Sequence, residues 1–422
     1  MRPAARLRLV CGLLTIAVLA GCAGPGVPAA RDRGVSAVKA SQIRTFSEFL
    51  DAAAVSATTA AQWARIARDN AIIVLNSWDY RLIPVLKRDN PRVQVWVYKD
   101  LSGVRSDDCT TASGDCGSCP EAVSDSPYLS SGLGYCWILR NQPGWLLAAA
   151  ATGRPLQFRG YPHAFEADYG NAAYQQQWLR NVRADVRSHG WDGVAIDNAL
   201  TTADAYGVAA KYRTDVAVQD ATYSALRVIG PGLRRAGISA VFNVGYPTMF
   251  AGLWQRWLGQ VDGLEQEFYL SYTAKPNVTG AGWLAYQDEV SSCAARGKSC
   301  WFHVGQESAP VSPQTAGYGV ASYLLGADAR QALAVGSTTA GLGLGAAIGA
   351  PVRPMIAAGG AFLRYFAKGV AVVNPSQISM VVQLGGIYRD AAGHAVREIS
   401  LGPASGAVLR AAAAQAAANG AS

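Results

Sequence analysis

The chain has 422 residues, of which 50% are hydrophobic and only 16% charged. A sequence this apolar buries a large core, which excludes disorder, and its length suits an α/β barrel with a small appendage. The formal charge of +8 is mild once three leader arginines are set aside, and no Lys/Arg run with interleaved aromatics marks a nucleic-acid binder.

Arg2, Arg6 and Arg8 form a basic start, and Leu9 to Val18 is an apolar run too short to span a membrane as a mature helix. Leu19-Ala20-Gly21-Cys22 then resembles the bacterial lipobox, with Cys22 as the lipidated residue. The rival is an ordinary signal peptide with an incidental cysteine, and agreement at all four positions favours the lipobox. Residues 1–21 are therefore read as a lipoprotein signal peptide and 22–40 as a tether, Gly/Pro/Ala-rich from Ala23 to Arg33. The expectation is export, with the protein anchored to the cell membrane on its extracytoplasmic side.

Cysteine usage agrees. Cys109, Cys116, Cys119, Cys136, Cys293 and Cys300 remain as an even set, which in an exported chain reads as disulfides. Cys293 and Cys300 flank one turn and are expected to pair; the other four allow three connectivities. Cys116-Gly-Ser-Cys119 has zinc-ligand spacing, but no second tight Cys/His pair accompanies it, so no metal is expected.

Strand and helix patterns alternate from the first strand, placed near Ile43 to Phe46. A helix over Thr59 to Asn70 leads to the strand Ala71 to Leu75, and a short helix from Ile83 to Arg88 leads to the strand Val93 to Tyr98. Leu101 to Tyr161 breaks the rhythm and reads as a long functional loop holding four cysteines. Helix Tyr174–His189, strand Asp192–Asp197, helix Asp215–Arg235 and strand Ile238–Val244 follow. Then come helix Met249–Gly259, strand Val261–Phe268, helix Gly282–Ala295, strand Cys300–Val304, helix Tyr318–Ala327 and strand Gln331–Val335. About eight such alternations predict a (β/α)₈ TIM barrel over 41–360 with an insertion at 101–161; a doubly wound open sheet is the runner-up. Gly341 to Gly349 reads as a loop. Residues 361–410 carry short β runs and predict a small C-terminal β appendage, and 411–422 is an Ala-rich tail.

Two strands share a pattern. Asp192-Gly193 is followed by Asp197, and Asp262-Gly263, at the same offset, by Glu267. Each acid falls at the C-terminal end of its strand, which in a barrel is the face where active sites are built. Two carboxylates across that mouth suit glycoside hydrolysis: Asp197 as nucleophile or base and Glu267 as acid. The plainer reading of either acid is a helix cap, but after Asp197 the neighbouring Asn198 is available for that. Glu265 lies two residues before Glu267 on the same strand face, and either glutamate is open as the catalytic one.

Other polar residues end strands: Asn76, Asp100, Asn243 and His303, with Gln306 and Glu307 just beyond. Together with Asn198, Glu265 and Asp168 they are candidate substrate contacts, although each alone reads equally well as a satisfied core group. Trp78, Tyr98, Tyr161, Tyr246 and Trp301 are candidate stacking rings, of a type that is more often core.

Several segments resemble the hypothetical glycosyl hydrolase family 15. They are Gln62-Trp63 to Ala67, Val95 to Asp100, Asn141-Gln-Pro-Gly-Trp145, Asp168 to Tyr174, Gly190-Trp-Asp-Gly-Val-Ala-Ile-Asp-Asn198, Asp262 to Phe268, Val372 to Ser376 and Leu401 to Gly406. The Asp-Gly-x-x-x-Asp-Asn piece is the most specific. The resemblance implies a TIM barrel related to endo-α-1,4-polygalactosaminidase-like proteins, with acids ending strands four and six at Asp197 and Glu267. Leu264-Glu265-Gln266 departs from the apolar or small residues expected there. The resulting expectation is a monomeric, cofactor-free glycosidase acting on an extracellular or cell-envelope polysaccharide. The alternatives are a non-catalytic carbohydrate-binding lipoprotein on the same barrel and a deacetylase, which would want metal ligands that four histidines scarcely supply.

Overall fold

A computed structural model describes residues 43–107, 129–272, 276–305, 310–336, 348–390 and 392–412. Cys22 and its leader, the tether, Cys109, Cys116, Cys119, Gln306, Glu307, most of the Gly341–Gly349 run and most of the Ala-rich tail lie outside the described residues.

Eight strands form a closed parallel barrel: β1 (Arg44–Phe49), β2 (Ile72–Leu75), β3 (Gln94–Asp100), β4 (Gly193–Ala199), β5 (Ser239–Val244), β6 (Gly263–Gln266), β7 (Trp301–Val304) and β8 (Ala332–Val335). β8 pairs with β1 through Arg44–Ala332 and Thr45–Leu333, and this pairing closes the ring. The connections hold helices α1 (Ala52–Ala57), α2 (Ala60–Asp69), α3 (Ile83–Asp89), α4 (Tyr135–Asn141), α5 (Ala172–His189), α6 (Asp215–Arg235), α7 (Leu253–Leu258), α8 (Gly280–Ala295) and α9 (Pro313–Gly326).

Local chemistry sets several of these limits. Thr59 and Gln62 form a reciprocal capping box that starts α2. Asn171 accepts from the Ala173 and Tyr174 amides at the start of α5, and Gly190, with φ of 75°, ends it. The α5 face with Tyr174, Trp178, Val182 and Val186 is buried.

The barrel interior is filled by Phe46, Ile72, Val74, Trp96, Ala195, Val241 and Trp301 among others, with the Trp96 and Trp301 rings 4.8 Å apart. This packing explains the Asp-Gly repeat. A Cβ at Gly193 would lie 2.6 Å from the Trp96 ring, and one at Gly263 would strike the Ser299 carbonyl. Asp192 accepts from the Val95 amide at 2.8 Å and from Lys87 at 2.7 Å, tying the foot of β4 to β3 and α3. Asp262 accepts from Arg234 at 2.8 Å, tying the foot of β6 to α6.

Several limits differ from the sequence reading. β1 runs on to Phe49, three residues past its predicted end, because Glu48 and Phe49 pair with Val74 and Leu75. β6 ends at Gln266, so Glu267 stands beyond the strand. The helix predicted over Met249–Gly259 is a short turn, Pro247–Met249, and then α7, separated at Gly252 with φ of 74°. The 101–161 insertion is not merely a loop: Gly103–Arg105 pairs antiparallel with Ala164–Glu166, and α4 lies within it.

After β8 an antiparallel sheet of β9 (Ile356–Ala358), β10 (Ala361–Phe366), β11 (Gly369–Asn374), β12 (Met380–Arg389), β13 (Ala395–Leu401) and β14 (Ser405–Ala411) follows, in the order β9-β10-β11-β14-β12-β13. It begins at Ile356, within the segment assigned to the barrel. Gly406 approaches α9 so closely that a Cβ would sit 2.8 Å from Ala321. One face thereby joins the main core through Phe366, Ala371 and Val373, while Leu363, Val372, Leu384 and Tyr388 form a second core within the appendage.

Candidate active site

The C-terminal ends of the strands open into a cleft lined by Glu48, Leu50, Tyr98, Asp197, Asn243, Glu265 and Glu267. Asp197 lies on β4 and is held from three sides. Tyr98, on β3, donates its hydroxyl to Asp197 Oδ2 at 2.7 Å. The Asn198 amide donates to Oδ1 at 2.7 Å, and Asn243 Nδ2 approaches the same oxygen at 3.1 Å. Asn243 Nδ2 also lies 3.1 Å from Glu267 Oε2. One amide therefore joins the two acids predicted to act together.

Behind Asp197 stands a second layer. Asn198 has φ of 59°, a left-handed backbone that asparagine tolerates better than most residues. In that pose its side chain donates to Asp100 Oδ2 at 2.8 Å and accepts from the Tyr206 hydroxyl at 2.8 Å. Asp100 Oδ1 accepts from the Ser102 and Gly103 amides at 3.0 and 2.6 Å. Burial and the nearby Asp197 charge push the Asp100 carboxyl up to about 7 against these hydrogen bonds. Glu166 sits opposite Gly103 on the insertion hairpin and is 4% exposed. Burial, then the charges of Asp100 and Asp168, push it up to about 8.

The other predicted contacts divide. Glu265 is buried and opens on the cleft with Glu267. Asn76 instead donates to the Leu50 carbonyl at 2.9 Å, supporting the cleft wall from behind. Asp168 is committed to Lys211 Nζ at 2.5 Å and to the Tyr212 hydroxyl, so it fastens the loop after β4 to the insertion. His303 points into the barrel against Phe46, 5.9 Å between ring centroids, with Nε2 3.4 Å from the Gly336 carbonyl. Trp301 is wholly buried beside Trp96, so it cannot stack on a ligand. Trp78 is exposed but is not among the cleft-lining residues. Tyr161 and Tyr246 are exposed at the mouth.

Sequence reasoning missed Glu48, Tyr206 and Tyr272. Glu48 was legible: it shares strand parity with the inward-facing Phe46, but only if β1 extends beyond Phe46. Tyr206 and Tyr272 lie on loops, where no periodicity flags them. A larger hollow between α8, α9 and the Pro351–Met355 segment is lined by Arg353 and Arg364, with no carboxylate among its described lining residues. Cys293 and Cys300 are bonded, as expected, and fasten the end of α8 to the start of β7. Cys136 is also disulfide-bonded. No group of three or more metal-ligating side chains occurs among the described residues.

A closed (β/α)₈ barrel with carboxylates on its C-terminal rim is a hydrolase-type frame on which glycosidases, among other enzymes, build their sites. The model of the hypothetical glycosyl hydrolase family 15 matches residues 87–370, about two thirds of the chain, and the chain belongs to that family. Among curated proteins none matches it by sequence. Among solved structures it is similar to the glycoside hydrolase domain of PelA from Pseudomonas aeruginosa, with 11% identity, TM-score 0.43, and coverage of 72% of this chain and 97% of that one. It is also similar to Aspergillus fumigatus Ega3 in complex with galactosamine, with 12% identity, TM-score 0.39, and coverage of 70% and 92%. A third is the maltogenic α-amylase AmyB from Thermotoga neapolitana, with 10% identity, TM-score 0.48, and coverage of 87% and 98%.

Proposed function

We propose that this protein hydrolyses a glycosidic bond in an extracellular or cell-envelope polysaccharide, with Asp197 and Glu267 as its carboxylate pair and retention of anomeric configuration. The observation that carries the reading is the shared Asn243 amide. Both acid oxygens lie 3.1 Å from it, so they are within about 6 Å of each other. That bound on the two facing oxygens admits the spacing of a retaining pair, about 5–5.5 Å, which we take as the reading over the roughly 6.5–9.5 Å of an inverting pair. In this reading Asp197, whose two oxygens accept from Tyr98 and Asn198, is the nucleophile, and Glu267, beyond the strand end, is the acid and then the base.

The charge of the cleft narrows the substrate. Among the described residues four carboxyl side chains line it and no Lys or Arg does. Such a cleft repels uronic-acid polymers and accepts neutral or amine-bearing sugars. Chemistry of this kind takes place without a cofactor. The exported, lipid-anchored location rests on the Arg2–Cys22 segment and is supported by disulfide-bonded Cys136, Cys293 and Cys300, which suit an oxidising compartment.

The stereochemical test is NMR of the first-formed anomer during hydrolysis of an amino-sugar oligomer. Retention is expected, together with a mass adduct on Asp197 when a slow fluorosugar substrate is supplied. Initial formation of the opposite anomer would remove the nucleophile assignment. Glycan affinity with no turnover over long incubation would leave the binding-lipoprotein reading in its place.

A further inference from the structure

The mouth of the barrel carries two groups of aromatic rings that the acid chemistry does not employ. The first follows β5 and β6. Tyr246 is 41% exposed and has φ of 49°, a left-handed backbone that is rare for a bulky residue and persists only where the surroundings hold it. Its ring is within 13° of parallel to Phe268 and 15° of parallel to Tyr272, and its hydroxyl meets that of Tyr272. Phe268 and Tyr272 stack on each other at 4.3 Å. The result is a cluster of three near-parallel rings in which Tyr246 remains 41% exposed.

The second group follows β3 and β4. Tyr161 is 54% exposed and stands edge-on to Tyr206, which stacks on Phe158 at 4.1 Å. Both groups border the acids. Burial raises the Tyr161 and Tyr272 phenols, and the Glu267 charge raises both further; Asp197 also acts on Tyr161. In strand order the two groups flank Asn243 and Asp197, one on each side.

A braced ring beside a polar cleft matches a pyranose, which presents an apolar C–H face rimmed by hydroxyl groups. Ordering cost is low because the stacking partners already fix the ring. We propose that the Tyr246 platform and Tyr161 are two sugar-binding subsites on opposite sides of the scissile bond, so that the cleft takes a chain of neutral or amine-bearing pyranoses. This assignment rests on the glycosidase reading for the position of the scissile bond, but not for binding itself.

The test measures binding of glucosamine oligomers and malto-oligomers of two to six units to the Asp197→Asn protein by calorimetry, beside reducing-end release by otherwise wild-type protein. Tyr246→Gly removes the ring and relaxes the backbone, so its melting temperature is expected to hold. It and Tyr161→Ala should each weaken binding of the longer oligomers by about fivefold to tenfold. They should also abolish the rise in kcat/KM with chain length, while Met249→Ala, on the same turn as Tyr246, leaves affinity as it is. If both tyrosine variants bind and cleave every oligomer as the parent does, the subsites are wrong and the hydrolytic reading stands. If oligomers bind through the tyrosines but no reducing ends appear, the subsites stand and hydrolysis falls. If no oligomer binds or is cleaved, both fall.

Discussion

Asp197 and Glu267 share one amide nitrogen: Asn243 Nδ2 lies 3.1 Å from Oδ1 of the first and 3.1 Å from Oε2 of the second. Two carboxylates this close repel, and a shared donor offsets part of that repulsion. Asn243→Ala should lower kcat roughly tenfold to a hundredfold, the loss expected for a hydrogen bond to a charged group. Asn243→Asp, which puts a carboxylate between the two acids, should cost more. Kinetics beside a thermal melt separate this from unfolding.

Glu265 and Glu267 are distinguished by leaving-group dependence. Removing a general acid hurts substrates with poor leaving groups far more than activated ones. Glu267→Gln should lose most of its kcat/KM on a natural oligomer and retain much of it on a nitrophenyl glycoside of the same sugar. Glu265→Gln should affect both substrates alike. The reverse pattern would exchange their roles.

Two buried acids shape the pH dependence of stability. Burial pushes Glu166 and Glu289 each up to about 8 from the ordinary glutamate value of 4.5. The folded form therefore holds protons that the unfolded chain releases. Their contribution is fully present below about 4.5 and is lost as pH rises through 8. The melting temperature should fall between pH 5 and pH 9, and Glu166→Gln should flatten that slope.

Lys99 and Asp185 form an ion pair at 2.7 Å with both side chains fully buried. Lys99 also donates to the Leu129 carbonyl at 2.6 Å, and Ser77 to Asp185 at 2.8 Å. This network joins β3 and α5 beneath the insertion. Lys99→Met should destabilise the fold by about 3–5 kcal/mol, because it removes the lysine cation that faces a buried carboxylate. Denaturant unfolding measures the loss, and the Lys99→Met/Asp185→Leu double variant should recover much of it.

The barrel was legible because eight apolar runs alternate with amphipathic helices, and that alternation survives errors of a few residues at each boundary. The site depends on such residues. Ending β1 at Phe46 hid Glu48, and extending β6 through Phe268 placed Glu267 on a strand that it has already left. Strand parity alone does not say whether a residue looks into the barrel or toward the rim, so His303 and Trp301 read as site residues although they fill the interior. Asp168 finds Lys211 and Tyr212 more than forty positions away, a pairing that no local pattern encodes. Asp197 was the clearest feature, since its Asp-Gly start is demanded by Trp96 packing and its position by the strand length that follows.

The most direct measurement is reducing-end release from a panel of amino-sugar and neutral cell-wall polysaccharides by wild-type protein beside Asp197→Asn and Glu267→Gln. The account predicts release by wild type from at least one polymer, and loss of nearly all of it in both variants with unchanged melting temperatures. Full activity in both variants on a polymer that the wild type cleaves would contradict it.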